Sequence, residues 1–287
     1  RGMRRHPRHG GDAPRIHRCA PRPPHRPMSR RTRGGAHSRS NFAANDVIIL
    51  AGGFGKRLGA ALGGAPKPML PVMGRPFLEW TVLRLTSFGF RSIVLSIGYR
   101  RAVIRDYFGT GARWGAEIRY VEEEEPLGTG GALGAASAET RSADVFVLNG
   151  DTLCLCDPAG FFEFHRACGA EATVCCVRAA DSSRYGSVLL DRRGRVAGFS
   201  EKEAAGSGWI NAGAYWMTSG FLRAMSGRGP LSLERDVLPG AADGRLCAYR
   251  SDGDFIDIGT PGDLARAVGF MRRNRLDRLG RGGGGGE

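Results

Sequence analysis

Between about residue 45 and residue 279, short apolar runs alternate with stretches of helical spacing. That rhythm restricts the fold more than any composition figure does. Residues 47–50 read as a buried strand. Residues 76–88 read as a helix, through Phe77, Leu78, Trp80, Leu83 and Leu85. Strands at 92–97 and 117–121 flank a short helix at 101–108. A helix at 130–138, rich in small residues, leads to a strand at 144–148, a helix at 161–168 and a strand at 172–177. Strand–helix–strand repetition implies an α/β fold with a doubly wound, mainly parallel sheet of the Rossmann-like kind. After Asp181 the character changes. Residues 185–190 and 195–199, joined by Asp191-Arg192-Arg193-Gly194, read as an antiparallel hairpin. Further strands are expected within 209–217 and 246–258. A closing helix at 261–272 has Thr260 placed to cap it and Pro261 in its first turn. The expectation is one domain over residues 46–279 with an inserted β-rich lobe. No hexapeptide repeat suggests a β-helix.

The first strand empties into Leu50-Ala51-Gly52-Gly53-Phe54-Gly55-Lys56-Arg57-Leu58-Gly59, and Pro66-Lys67-Pro68-Met69-Leu70-Pro71 follows. Glycines let backbone N–H groups approach an anion, and Lys56, Arg57 and Lys67 can neutralise it. This is the layout of a phosphate cradle at the carboxyl end of a strand, where open α/β sheets bind ligands. Two better-known phosphate loops are excluded. A Walker loop needs glycine where Leu50 stands and Ser or Thr where Arg57 stands, and G-x-G-x-x-G needs glycine at Leu58.

The net charge of +14 is unevenly spread. Residues 1–45 hold twelve Arg, no Lys, five of the six His and one acidic residue, Asp12. With many Pro and Gly and almost no apolar periodicity, that stretch is expected to be a disordered Arg/Pro-rich extension. A nucleic-acid-binding arm is one reading of it. An extension foreign to the folded domain, with Met28 or a later codon as the start, is the favoured one. The stretch lacks the apolar core of a secretory signal, and its Pro content argues against an amphipathic transit helix. Residues 280–287 read as a second disordered tail, rich in glycine. No run approaches the length needed to span a bilayer, so no membrane partner is expected. The seven cysteines include no C-x-x-C and no zinc-finger spacing. Cys175 and Cys176 lie in an apolar run as buried thiols, and this usage fits a reducing cytoplasm.

Asn149-Gly150-Asp151 closes the run 145–148, where a carboxylate can hold a divalent cation above the sheet. Asp257 sits between two isoleucines in Phe255-Ile256-Asp257-Ile258-Gly259-Thr260-Pro261, so its burial calls for a partner charge. A metal shared with Asp151 is one such partner and a structural salt bridge another. Mg²⁺ suits carboxylates together with substrate phosphates. Glu122–Glu125 precede Pro126-Leu127-Gly128-Thr129-Gly130-Gly131-Ala132, where small residues at a helix entry let a flat base lie against the backbone, with one carboxylate such as Glu123 aimed at its edge. Glu201-Lys202 and Asn211-Ala212-Gly213 can supply hydroxyl and phosphate contacts.

These motifs, with Arg184-Tyr185-Gly186, occur in the order seen in sugar-1-phosphate nucleotidyltransferases. The chain resembles that family over about residues 46–275. Leu127-Gly128-Thr129-Gly130-Gly131 and Phe255-Ile256-Asp257-Ile258-Gly259 look most like the D-glycero-α-D-manno-heptose 1-phosphate guanylyltransferases. Mannose-1-phosphate guanylyltransferases and related uridylyl- and thymidylyltransferases share most of them. The resemblance implies a Rossmann-like, GT-A-like enzyme that joins a nucleoside triphosphate to a sugar 1-phosphate and releases pyrophosphate. It implies that Leu50, Ala51, Gly52, Gly53, Gly55, Lys56, Arg57, Glu123, Gly128 and Thr129 bind the nucleotide. Arg57, Lys67 and Asp151 would be catalytic. Gly186, Glu201, Lys202 and Asn211 would hold the sugar phosphate, and Asp151 and Asp257 would ligate Mg²⁺.

Lys56 departs from the Thr, Ser or Glu common at its position. Glu122–Glu125 do not resemble the glutamine-containing base loop of the thymidylyltransferases. Guanine offers two adjacent donors that a carboxylate can accept, which favours GTP. A sugar 1-phosphate is already anionic, so no His or Ser nucleophile is required. His165 lies within the helix at 161–168 and reads as a packing residue. A non-catalytic sugar-nucleotide-binding subunit is the alternative of another class. No nucleic-acid partner is expected for the folded domain, and a homo-oligomer is compatible with the sequence.

Overall fold

The computed structural model describes residues 42–53, 64–182, 185, 187–192, 194–200 and 206–280. The chain enters through a 3₁₀ turn, Phe42–Ala44, and Phe42 is buried with its ring stacked on Phe90 at 4.5 Å. The extension was expected to run through residue 45. Among the described residues Phe42 already belongs to the core, because its ring closes an aromatic group that also contains Phe146, Phe162 and Trp216.

Strand β1 (Asp46–Leu50) shows how the apolar runs are used. Val47 and Ile49 face one core with Phe90, Phe146 and Trp216, while Ile48 faces a second with Val94, Val147 and Leu133. A strand covered on both faces needs a continuous apolar run rather than an alternating one. A tight hairpin of β2 (Pro71–Val72) and β3 (Arg75–Pro76) turns through Met73 and Gly74, both at positive φ. It leads into α1 (Phe77–Ser87). Then come β4 (Ser92–Ile97), α2 (Arg101–Phe108), β5 (Glu117–Glu122), α3 (Gly128–Ala136) and β6 (Asp144–Asn149). β5, β4, β1 and β6 lie side by side and parallel, with Leu50 level with both Ser96 and Asn149. Glu79 of α1 is wholly buried. It accepts from Arg75, Tyr107 and the Trp114 indole, which ties α1 to α2 and the turn beyond it.

The second half adds β7 (Thr152–Cys154), α4 (Pro158–Cys168), β8 (Ala172–Ala179), β9 (Ser187–Leu190), β10 (Val196–Ser200) and β11 (Gly208–Thr218). It ends with α5 (Ser219–Arg223), α6 (Leu238–Ala241), β12 (Leu246–Ser251), β13 (Phe255–Asp257) and α7 (Pro261–Arg273). The expected hairpin is β9–β10, antiparallel. The β-rich part is continuous with the main sheet: β11 pairs antiparallel with β6 on one side and with β8 on the other, and β8 carries β12. β11 spans both regions because its register shifts between Asn211 and Tyr215, where Gly213 takes φ +66°. Asp157 caps α4 and Thr260 caps α7, each followed by proline in the first turn. Outside the large sheet, β7 and β13 form a two-stranded antiparallel ribbon that sets Asp257 opposite Thr152. The carboxyl ends of β1 and β6 and the end of this ribbon meet at one edge, and the chemistry-bearing residues gather there.

Candidate active site

Glycine makes the meeting point possible. The Gly150 N–H donates to the Leu50 carbonyl at 2.8 Å, and a Cβ on Gly150 would sit 2.8 Å from that same oxygen. Only glycine lets the chain leaving β6 cross the end of β1 so closely, and the crossing delivers Asp151 to the edge. The Ile258 N–H donates to the Asp151 carbonyl at 3.1 Å, which fastens that corner to the ribbon. Gly259 fits for a similar reason: its Cβ would lie 2.9 Å from the Asp257 carboxylate.

Between the two carboxylates lies Lys67, at the start of a 3₁₀ turn, Lys67–Met69, stiffened by Pro66 and Pro68. Its ammonium donates to Asp151 Oδ2 at 2.6 Å and to Asp257 Oδ1 at 3.2 Å. Residues 84 and 190 positions apart in the chain therefore share one charged group. Burial works against the Lys67 charge, but Asp151 and Asp257 together outweigh it and hold its pKa above the ordinary value. Asp257 is raised. Burial is the main cause and the Asp151 charge adds to it, against the opposing pull of Lys67. One ammonium is thus shared by two carboxylates that repel each other. A hard divalent cation is the group such an all-oxygen pair would accept.

The loop after β1 supplies the floor. The Ala51 N–H donates to the Ser96 carbonyl, and the Gly52 carbonyl accepts from Tyr99. A Cβ on Gly52 would meet Glu123 at 2.5 Å, so this glycine is dictated from beneath. Gly53 is exposed, and among the described residues nothing lies within 4 Å of where its Cβ would stand. Its small size is not explained by these neighbours. A cavity of about 340 Å³ reaches Asp257 from the α7 side, walled by Tyr185, Phe255, Arg266 and Arg273.

Other expected contacts are arranged differently. Both Glu123 oxygens are engaged within the protein, accepting from the Ser96 hydroxyl and from the Leu127 N–H. That carboxylate braces the loop instead of facing out. The small residues of α3 are required by the chain itself. A Cβ on Gly128 (φ +69°) would meet the Leu231 carbonyl at 2.6 Å, on Gly131 the Gly229 carbonyl at 2.7 Å, and on Gly134 the Met225 backbone at 2.6 Å. The segment 225–231 crosses α3 at that face, and the Leu231 carbonyl accepts from Gly130. Thr129 donates to Glu234 and accepts from the Leu233 N–H. Asn211 accepts from the Gly213 N–H and donates to the buried Tyr215 hydroxyl, which holds the β11 bulge. Glycine spacing alone could not distinguish a ligand surface from a crossing backbone. Gly55, Lys56, Arg57, Gly186, Glu201 and Lys202 lie outside the described residues.

His165 is buried between the Thr173 hydroxyl, 2.8 Å from Nδ1, and Asp144, 3.5 Å from Nε2. Burial holds its pKa down despite that carboxylate, so it is a neutral packing residue.

An open α/β sheet with glycines at its carboxyl edge and a Lys–Asp–Asp cluster beside it is a layout suited to phosphorylated ligands. The model of the nucleotidyl transferase family matches residues 46–274, and the chain belongs to that family. It is 38% identical over 223 residues to the D-glycero-alpha-D-manno-heptose 1-phosphate guanylyltransferase of Aneurinibacillus thermoaerophilus, covering 77% of this chain and 96% of that one. It is 37% identical over 232 residues to the mannose-1-phosphate guanylyltransferase of Mycobacterium tuberculosis, covering 79% of this chain but only 65% of the relative's length. Among solved structures, HddC from Yersinia pseudotuberculosis complexed with GMP-PN matches with a TM-score of 0.70 and 33% identity, over 79% of this chain and 99% of that one.

Proposed function

We propose that this chain transfers a guanylyl group from GTP to a sugar 1-phosphate, with D-glycero-α-D-manno-heptose 1-phosphate as the favoured acceptor. The single observation that carries the reading is the Lys67 ammonium placed between Asp151 and Asp257 at the sheet edge beside Gly52 and Gly53. The heptose-specific relatives support the acceptor, since this chain spans 96% of their length against 65% for the mannose enzyme. The complex of HddC with GMP-PN supports the guanine nucleotide.

In this reading an oxygen of the sugar phosphate attacks the α-phosphorus of GTP. The bond to the bridging oxygen breaks, and its electron pair leaves with pyrophosphate. The acceptor oxygen is already ionised, so no proton has to be removed, and the buried neutral His165 has no part in the step. The obstacle is the repulsion between two anions, and positioning and charge neutralisation supply most of the rate. Lys67 serves that end as a fixed cation at the α-phosphate, and Arg57 and Lys202 are assigned to the leaving pyrophosphate and the sugar phosphate. Gly53, without a side chain, lets the triphosphate lie close to the loop. Asp151 and Asp257 would hold Mg²⁺, which when bound neutralises phosphate charge. No bilayer-spanning helix is present among the described residues, and we place the enzyme in the cytoplasm.

The test is pyrophosphate release across a matrix of nucleoside triphosphates and sugar 1-phosphates in Mg²⁺. Turnover is expected to be greatest with GTP and the heptose phosphate. No turnover with any pair would overturn the reading. Preference for mannose 1-phosphate would move only the acceptor. Tight GTP binding without pyrophosphate release would favour the non-catalytic subunit.

A further inference from the structure

We propose that Cys154, Cys156 and Cys175 form a trithiolate site for a thiophilic divalent cation of the zinc class. In sequence these cysteines have no metal-binding spacing. The fold nevertheless brings their three sulfurs within 4.8 Å of one another. Cys154 and Cys156 lie two positions apart at the end of β7 and just beyond it, so extended backbone turns both to one side. Cys175 reaches them from β8, with its Sγ 3.7 Å from that of Cys154. Tetrahedral zinc with bonds of about 2.3 Å places its sulfurs about 3.8 Å apart. The thiols need little movement to close on an ion.

Charge and surroundings agree. All three residues are buried, and a buried ionic group has to be close to neutral overall. Three thiolates and a divalent cation leave one negative charge. The Arg84 guanidinium, which donates to the Cys156 carbonyl at 2.5 Å and whose charge acts on both Cys154 and Cys156, cancels it. A cavity of about 10 Å³, lined by Thr81, Arg84, Thr152 and Cys154 among others, adjoins the cluster. The Thr81 hydroxyl that faces the same surroundings is buried without a hydrogen-bond partner. One water there, beside Cys154, would satisfy that hydroxyl. Binding converts three thiols and M²⁺ into M(SR)₃⁻, releases three protons to solvent and moves no electrons.

The site is separate from the Asp151–Asp257 pair in its chemistry, since soft sulfur selects zinc-class ions and carboxylate oxygen selects magnesium. It is coupled to that pair in space. β7 begins directly after Asp151, and β13, which ends in Asp257, is paired along it. An ion held by Cys154, Cys156 and Cys175 would clamp this ribbon to β8 from behind.

The test is to titrate the full, reduced, metal-stripped chain with Cd²⁺ without oxygen and follow the ultraviolet thiolate-to-metal charge-transfer band. The band is expected to saturate at one Cd²⁺ per chain, and Zn²⁺ should abolish it by competition. Cys154→Ser and Cys175→Ala should each weaken binding at least tenfold. Cys156→Ala, which removes a ligand just outside the strand, is the variant to use if either fails to fold by circular dichroism. Cys168→Ser, which alters the separate Cys168–Cys247 pair, should leave the band unchanged. Absence of the band in the wild-type chain, its persistence in all three site variants, or its loss with Cys168→Ser would each overturn the proposal.

Discussion

Two aspartate settings, one at the amino end of β1 and one on the ribbon beside its carboxyl end, show what separates a structural carboxylate from a working one. At the amino end of β1, Asp46 is almost completely buried. One oxygen accepts from the Ser92 hydroxyl and the Arg119 guanidinium, the other from the N–H groups of Arg141 and Ser142. Burial alone would raise its pKa, but the hydrogen bonds from Ser92, Arg141 and Ser142 outweigh it and hold the pKa below the ordinary 3.8. At the carboxyl end, Asp257 shares the Lys67 ammonium with Asp151, and its pKa is raised by burial and by that neighbour. The first carboxylate has every lone pair answered by its own chain. The second is less well supplied, and its remaining need for positive charge is what a ligand or cation can meet.

The difference can be broken at either end. The largest effect is expected for Asp151→Asn, which should lower turnover at least ~10²-fold, the scale seen when one preorganised charge-stabilising group is lost. The melting temperature should barely move, because Asp151 is partly exposed. Measuring kcat beside thermal unfolding separates the two. Lys67→Met should come next, with loss of kcat and a measurable loss of stability, because Asp257 is left buried beside Asp151 without its cation. Lys67→Arg should fail to restore the rate, since a planar fork cannot replace a compact ammonium between two carboxylates.

Asp46→Ala should reverse the pattern. A loss of about 3 kcal/mol in denaturant unfolding is expected when a buried, fully paired carboxylate is removed and its donors are left unanswered, with kcat of the remaining folded protein nearly unchanged. The pH dependence carries the opposite sign at the two ends. Because the folded pKa of Asp46 is lowered, its contribution is present above 3.8 and is lost as pH falls through the lower folded value. Because that of Asp257 is raised, folding binds the proton more tightly, and stability is lost as pH rises from 3.8 through the higher folded value. Stability curves of Asp46→Asn and Asp257→Asn against pH should therefore flatten opposite slopes of the wild-type curve. The smallest effect is expected for Gly259→Ala, whose methyl would press on the Asp257 carboxylate. A several-fold drop in kcat is expected, with stability close to wild type.

Much of this was legible in the sequence because it rests on short-range signals. Continuous apolar runs marked β1, β4 and β6, and Thr260-Pro261 marked the start of α7. Asp257 between two isoleucines announced a buried charge in need of a partner, and that partner is Lys67. Other features depend on which backbone crosses which. Gly128 and Gly131 signalled close approach, and one group that approaches them is the segment 225–231. Glu123 signalled a carboxylate near the loop, but Ser96 and Leu127 already engage it. The joining of the β-rich half to the main sheet rests on a register shift at Gly213. The gathering of Cys154, Cys156 and Cys175 comes from strands that meet only after folding. Neither leaves a periodic trace.

The most direct measurement is pyrophosphate release from GTP and D-glycero-α-D-manno-heptose 1-phosphate in Mg²⁺, run side by side on the wild-type chain and on folded Asp151→Asn. The expected result is one pyrophosphate per sugar nucleotide formed by the wild type and almost none by the variant. Near wild-type turnover in Asp151→Asn would contradict the role given to the carboxylate pair.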